Sequence, residues 1–304
     1  MKKLLVLCFG VLALTAFVGV ARAADTPTKQ DGRVWVDQNF VLAFSPQWSL
    51  TTMPGGRAEF ARSREGAQGL NFLELFFGPN YTYKTGNWVI KGSLWYYYMG
   101  YPQRGRMKEQ ADGSLACSNP PLVNPTTGAQ ISDHCTSTYN ASHNIEVIPS
   151  AEYRMGRWSI YDRMIFHNTF YADVYSNPTP TLSVSNERLG WGTVLRELLQ
   201  LRFALNDRAG VFVSDEIFLG LIEDGDTSSI AGGKGYTPLG YWKHGLRYNR
   251  SYLGIDYKVT PNFTIAPMYM IEIGLHPTDS TDVTDIAHNL FVVATVTAAA
   301  FGNK

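Results

Sequence analysis

The chain has 304 residues, with 26 basic and 26 acidic side chains and a formal net charge of zero. That balance excludes the strong basic or acidic bias expected of a nucleic-acid or charged-surface partner, and no nucleic acid is expected. Aromatic residues make up 13% of the chain and mean hydropathy is slightly negative at −0.13.

The chain opens with Lys2 and Lys3, an apolar run from Leu4 to Val20, and the small-x-small triplet Ala21-Arg22-Ala23. This reads as a secretory signal peptide over residues 1–23, followed by one mature domain over 24–304. An uncleaved N-terminal anchor is the alternative. Cys8 falls within the removed segment. Beyond it no stretch is long and apolar enough for a transmembrane helix.

The mature part reads as successive strands with a period of two, which places alternate side chains on opposite faces. Arg33 to Phe44 is the first strand, broken by Ser45-Pro46-Gln47. Trp48 to Arg62 contains Pro54-Gly55-Gly56 and reads as one interrupted strand or two short ones. From Leu70 to Tyr83, Leu73, Leu75, Phe77, Tyr81 and Tyr83 share one face, and Glu74, Gly78, Asn80 and Thr82 the other. Trp88 to Met99 returns after a tight turn at 84–87.

The next strand, Asn144 to Tyr153, sets Ile145, Val147 and Tyr153 against Glu146 and Glu152. Trp158 to Tyr171 puts Arg157, Arg163 and His167 on its polar face, with Asp162 on the apolar one unless a bulge intervenes. Gly192 to Leu205 sets Leu195, Leu199, Leu201 and Phe203 against Arg196 and Arg202. Gly210 to Leu221 is expected to break at Asp215-Glu216, two adjacent carboxylates that cannot both face water. The clearest hairpin follows: Leu253, Ile255 and Tyr257 oppose Arg250, Asp256 and Lys258, then Pro261 and Asn262 turn. Phe263 to Leu275 then alternates with Glu272 on the polar face. His288 to Phe301 closes the chain.

Short connections at 84–87, 154–157, 206–208 and 259–262 alternate with long ones at 101–142, 172–189, 224–241 and 276–286. Short turns at one end and long loops at the other are the asymmetry of a bacterial outer-membrane barrel, with periplasmic turns and extracellular loops. The expected fold is therefore all-β, a transmembrane antiparallel β-barrel. Eleven strands can be counted; an even number gives about twelve, with ten as the alternative. The 17 Tyr, 16 Phe and 7 Trp would supply its aromatic girdles.

Cys117 and Cys135 lie in a polar, proline-rich segment. In an exported chain they are expected to form a disulfide closing that loop. No zinc pattern fits them with His134 or His143. No metal or other cofactor is expected.

The lumen-facing charges are the candidate functional set: Glu74, Glu146, Glu152, Arg163, His167, Arg196, Arg202, Glu216, Arg250, Asp256 and Glu272, with Arg157 and Lys258 beside them. A charge inside an apolar environment costs several kcal/mol, so each must meet water or an opposite partner. Two readings satisfy that demand. One is a narrow hydrated channel for passive diffusion of small polar or amphiphilic solutes, narrowed further if the 117–135 loop folds inward. The other is a filled structural or adhesive barrel acting through its surface loops. About eight strands fill with side chains and sixteen leave an open channel, so twelve decides neither.

A rim enzyme that modifies lipids is a third class. The histidines at 134, 143, 167, 244, 276 and 288 form no Ser-His-carboxylate constellation whose spacing can be established. Ala231-Gly232-Gly233-Lys234-Gly235 lacks the spacing of a phosphate loop. Acidic residues at 223, 224, 226, 279, 282 and 285 read as solvated loops rather than a cation site. The expected partners are outer-membrane lipids and lipopolysaccharide, small solutes, and the barrel-insertion machinery, to which Phe301 near the C-terminus is suited.

The run from Arg196 to Phe301 carries LRELLQLRFAL, a strand with Asp215-Glu216-Ile217-Phe218, RYNRSYLGIDYKV, an alternating strand and HNLFVVATVTA. It resembles a domain-of-unknown-function group of uncharacterised, porin-like proteobacterial outer-membrane barrels with arginine-rich lumenal strands. The resemblance implies ten to twelve strands and brings no activity and no catalytic residues.

Overall fold

A computed structural model describes residues 29–62, 69–103, 107–109, 115–117, 137–177, 183–188, 192–222, 245–275 and 283–300. Its strands, in chain order, are β1 Lys29–Ala43, β2 Trp48–Arg62, β3 Gly69–Thr85, β4 Trp88–Gln103, the short β5 Met107–Glu109 and β6 Leu115–Cys117, β7 Ser137–Met155 and β8 Trp158–Asn177. They continue with the short β9 Ser183–Arg188, then β10 Gly192–Ala204, β11 Ala209–Ile222, β12 Gly245–Thr260, β13 Phe263–Leu275 and β14 Val283–Ala299.

The sheet closes on itself. Its order is β10-β11-β12-β13-β14-β1-β2-β3-β4-β7-β8-β9, and β10 also pairs with β8 along Gly192↔Thr169 to Phe203↔Trp158. Eleven strands therefore form the barrel wall. β9 extends the far part of β8, and β5 pairs only with β6. All wall pairs are antiparallel except one: β1 and β14 run parallel from Lys29↔Asp285 to Ala43↔Ala299. Antiparallel succession reverses direction at each step, so an odd count makes the first and last strands point the same way. The barrel closes with eleven strands, against about twelve expected, through a parallel seam. The segment 48–62 is one strand, β2, without the interruption that Pro54-Gly55-Gly56 suggested.

Connections at 44–47, 86–87, 156–157, 205–208 and 261–262 lie at one end, and the longer ones lie at the other. Gly86 and Gly156 take φ of 54° and 60° in their two-residue turns, a conformation that favours glycine. Strands of 13 to 20 residues exceed the ~10 residues a tilted strand needs to cross a bilayer core.

The outer face is apolar. Phe77, Ile90, Leu94, Val147, Leu253, Ile255 and Leu290 are exposed, while their strand neighbours are buried or half-buried. Beside the short turns aromatic pairs line the outer wall: Trp48–Tyr81 at 5.0 Å, Trp88–Tyr153 at 4.7 Å and Trp158–Phe203 at 4.6 Å. An apolar belt flanked by an aromatic band is the outer-membrane type of β-barrel.

Three sequence expectations need correction. β11 does not break at Asp215-Glu216; it runs unbroken, with Glu216 inward and Asp215 outward. Asp215 is satisfied on the outer face, because Asn249 donates to it at 3.0 Å and Ser251 at 2.9 Å. Arg157 is not in the lumen. It sits at the short turn, donating to the carbonyls of Ala204 and Leu205 and lying over the Phe203 ring at 4.5 Å. Asp162 needs no bulge, since β8 keeps its register with β10 through that position.

Candidate functional site: the barrel lumen

The lumen has two unlike halves. Toward the long loops a continuous belt of charged and aromatic side chains crosses it. Arg33 on β1 donates to Asp31 at 2.9 Å and to Glu272 on β13 at 2.8 Å. Arg250 on β12 binds the other oxygen of Glu272 at 2.6 Å and approaches Glu216 on β11 at 3.9 Å. Glu216 is 1% exposed and accepts from Arg196 on β10 at 2.9 Å, Arg163 on β8 at 3.0 Å and Tyr252 at 2.7 Å. Arg196 reaches Glu146 on β7 at 3.9 Å, and Glu146 meets His167 Nδ1 at 2.8 Å.

Aromatic residues carry the belt round the remaining wall. The Tyr97 ring on β4 packs edge-on to His167 at 5.4 Å, and its hydroxyl donates to Glu74 on β3 at 2.8 Å. Trp35 Nε1 on β1 donates to the second oxygen of Glu74 at 2.8 Å. The Trp35 ring packs on Phe291 of β14 at 5.2 Å, and Arg57 of β2 lies over it at 5.3 Å. Every wall strand thus contributes.

The chemistry explains why the belt is so packed. A barrel of about eight strands fills with ordinary side chains. Eleven leave more room, which Trp35, Phe72, Phe76, Tyr97, Phe218 and Met270 fill as a buried cluster. Carboxylates in that setting are tolerable only when answered, and Glu216 and Glu272 each face at least two guanidinium groups. Arg250 and Arg196 also lie over the Phe218 ring at 4.6 and 4.7 Å.

Toward the short turns the lumen is wetter. Arg202 forms a bidentate pair with Asp256 at 2.5 and 2.7 Å, the two side chains 31% and 23% exposed. Arg154 and Glu152 pair at 2.7 Å with 58% and 23% exposure. Asn80 holds this part of the wall together, accepting from Ser93 and Trp95 and donating to Thr51.

A cavity of about 620 Å³ lies in the lumen, lined by both polar and apolar side chains. Of the charges expected in the lumen, Glu74, Glu146, Arg163, Arg196, Arg250, Asp256 and Glu272 line it. Glu216 and His167 are fully buried within the belt, and Glu152 and Arg202 lie toward the turns. The sequence reading missed Arg33, Trp35, Asp37 and Arg57. The first three share parity on β1, a signal already present in RVWVDQNF. Arg57 lies on β2, where Pro-Gly-Gly hides the alternation.

Glu146, His167 and Thr169 form a line that invites comparison with an acid–base–nucleophile set, since Thr169 Oγ1 is 3.4 Å from His167 Nε2. The Thr169 hydroxyl donates to Asn144 at 2.5 Å instead, so its proton is not directed to the histidine. His143 and His288 point outward, each 2.6 Å from a tyrosine hydroxyl, of Tyr96 and Tyr269. Outside the described residues lie residues 1–28, Cys135, the histidines at 134, 244 and 276, the 231–235 loop and the acidic positions 223–226 and 279–282. Cys117 ends β6. Asp285 belongs to β14 and lines the cavity rather than a loop.

No family model matches the chain, so the resemblance drawn from the C-terminal motifs gains no family behind it, and no curated protein matches either. Among solved structures the chain is similar to the translocator domain of the autotransporter NalP from Neisseria meningitidis. The identity is 12%, with 75% of this chain and 70% of that one covered, at a TM-score of 0.43.

Proposed function

We propose that this chain is an outer-membrane barrel through which small polar or amphiphilic solutes pass, with the 620 Å³ cavity as a holding chamber and the charged belt as the constriction. The observation that carries this reading is the make-up of the cavity wall. Aromatic and methionine side chains (Trp35, Phe76, Trp95, Met53, Met268) alternate around it with Arg163, Arg196, Glu74 and Glu146. A purely structural filling has no need of an amphiphilic chamber, and a wide aqueous pore has no use for apolar walls. In this reading outer-membrane lipids and lipopolysaccharide surround the belt of exposed apolar residues. The insertion machinery delivers the chain there.

A second reading has a specific observation in its favour: every wall strand contributes to the belt, which suits a filled barrel that acts through its long loops. Efflux from proteoliposomes separates the two. Vesicles holding the folded protein are loaded with a hydrophilic solute or an amphiphilic one of similar size. Protein-dependent release of the amphiphile above that of the sugar-like solute is expected. Release of neither, from demonstrably folded protein, would leave only the filled barrel.

A further inference from the structure

Two lumenal carboxylates stand apart from the ion-pair belt. Asp37 and Glu74 are 4% and 5% exposed and both line the cavity. Among the described residues no ion pair joins either to a cation. Glu74 accepts neutral hydrogen bonds from Trp35 and Tyr97. Asp37 Oδ1 has no hydrogen-bond partner, and neither does Asn39 Oδ1, two residues along the same inward face and also lining the cavity.

Gly55 explains how the acids come together. It pairs with Asp37 on one side and Glu74 on the other. A Cβ there would meet Asp37 Oδ1 and the Glu74 side chain, so the two carboxyl groups close over bare backbone. The result is a buried pair of facing carboxyl groups that hydrogen-bond each other, with Asp37 Oδ1 left over, ringed by Trp35, Phe76 and Tyr97. Nearby guanidinium groups are engaged elsewhere, since Arg33, Arg57 and Arg250 all face Glu272.

Two adjacent buried carboxyl groups cannot both ionise without a cation, and a ligand that brings N–H donors and positive charge relieves that cost. Aromatic faces around the patch favour the same sign of charge. We infer that the cavity binds an amphiphilic amine, its primary ammonium group donating to Asp37, Glu74 and Asn39 and its apolar body lying along Met53, Phe76 and Trp95. This inference rests on the amphiphile-passage reading and gives that reading a substrate class.

The test is calorimetric titration of the folded full chain, in non-ionic micelles, with octylammonium, octyltrimethylammonium and octanoate. The inference expects saturable octylammonium binding, weaker binding of the trimethyl compound, which has no N–H donor, and none of octanoate at that patch. Asp37→Asn and Glu74→Gln should each weaken octylammonium by about tenfold or more, as loss of a charge-assisted hydrogen bond implies. Arg154→Gln, at the exposed pair beside the short turns and outside the cavity wall, should leave it unchanged. Octanoate binding that outcompetes octylammonium and is lost in Lys91→Met, which removes a cavity-lining cation, would overturn the inference, as would no saturable octylammonium binding to the unaltered protein. Binding without vesicle efflux would refute the passage reading alone. Amphiphile efflux without octylammonium binding would refute this inference alone.

Discussion

The two halves of the lumen carry similar residue types and use them differently. In the belt, Glu216 is 1% exposed and answers Arg163, Arg196 and Tyr252 at once. Near the short turns, Asp256 answers Arg202 alone and both remain partly in water. An arginine–carboxylate pair is therefore not one kind of interaction in this barrel. Where water is absent, removing one partner strands the others; where water is present, it takes over the missing role.

The sharpest way to break the contrast is Glu216→Ala. Three guanidinium groups and a tyrosine lose their shared acceptor in a buried setting, and breaking such a pair costs about 3–5 kcal/mol. Urea unfolding of the refolded barrel in micelles should show the largest loss of stability among the lumenal variants. Glu272→Gln comes next. Arg33 keeps Asp31 at 2.9 Å and Glu59 at 3.5 Å, so about half that loss is expected by the same measurement. Asp256→Asn should cost about 1 kcal/mol or less, because Arg202 can turn to solvent. Arg154→Ala, at the most exposed pair, should leave the unfolding midpoint unmoved within error. If Asp256→Asn proved as damaging as Glu216→Ala, the distinction between dry and wet halves would fail.

A fifth expectation concerns packing. Gly254 is buried in the wall, where an added Cβ would meet the Phe212 ring and Met268. Gly254→Val should lower the yield of refolded barrel, read by the shift between heated and unheated gel mobility, more than Gly92→Val, where an added Cβ meets nothing.

The fold was legible because each β-strand faces lipid on one side and a lumen on the other, which writes a period of two into residues such as Phe263 to Leu275. Strand number was less legible. Parity arguments assume antiparallel closure, and nothing local in Val34 or Leu290 announces a parallel seam, though the two pair in register. The lumenal charges were legible one strand at a time, as Arg196 and Glu272 show. Their partners were not: Arg33 and Glu272 are 239 positions apart and meet only because the first and last strands close the barrel. Asp215-Glu216 misled because two adjacent carboxylates look incompatible with a strand. Asn249 and Ser251 make the outward one tolerable.

The central claim is that the charged belt is the constriction of the lumen. Single-channel recording in planar bilayers tests it directly, comparing the unaltered protein with Glu216→Ala, both confirmed as folded barrels. The account predicts small ion conductance for the unaltered protein and clearly larger open steps once Glu216 is gone. Large stable steps from the unaltered protein, unchanged by Glu216→Ala, would contradict it.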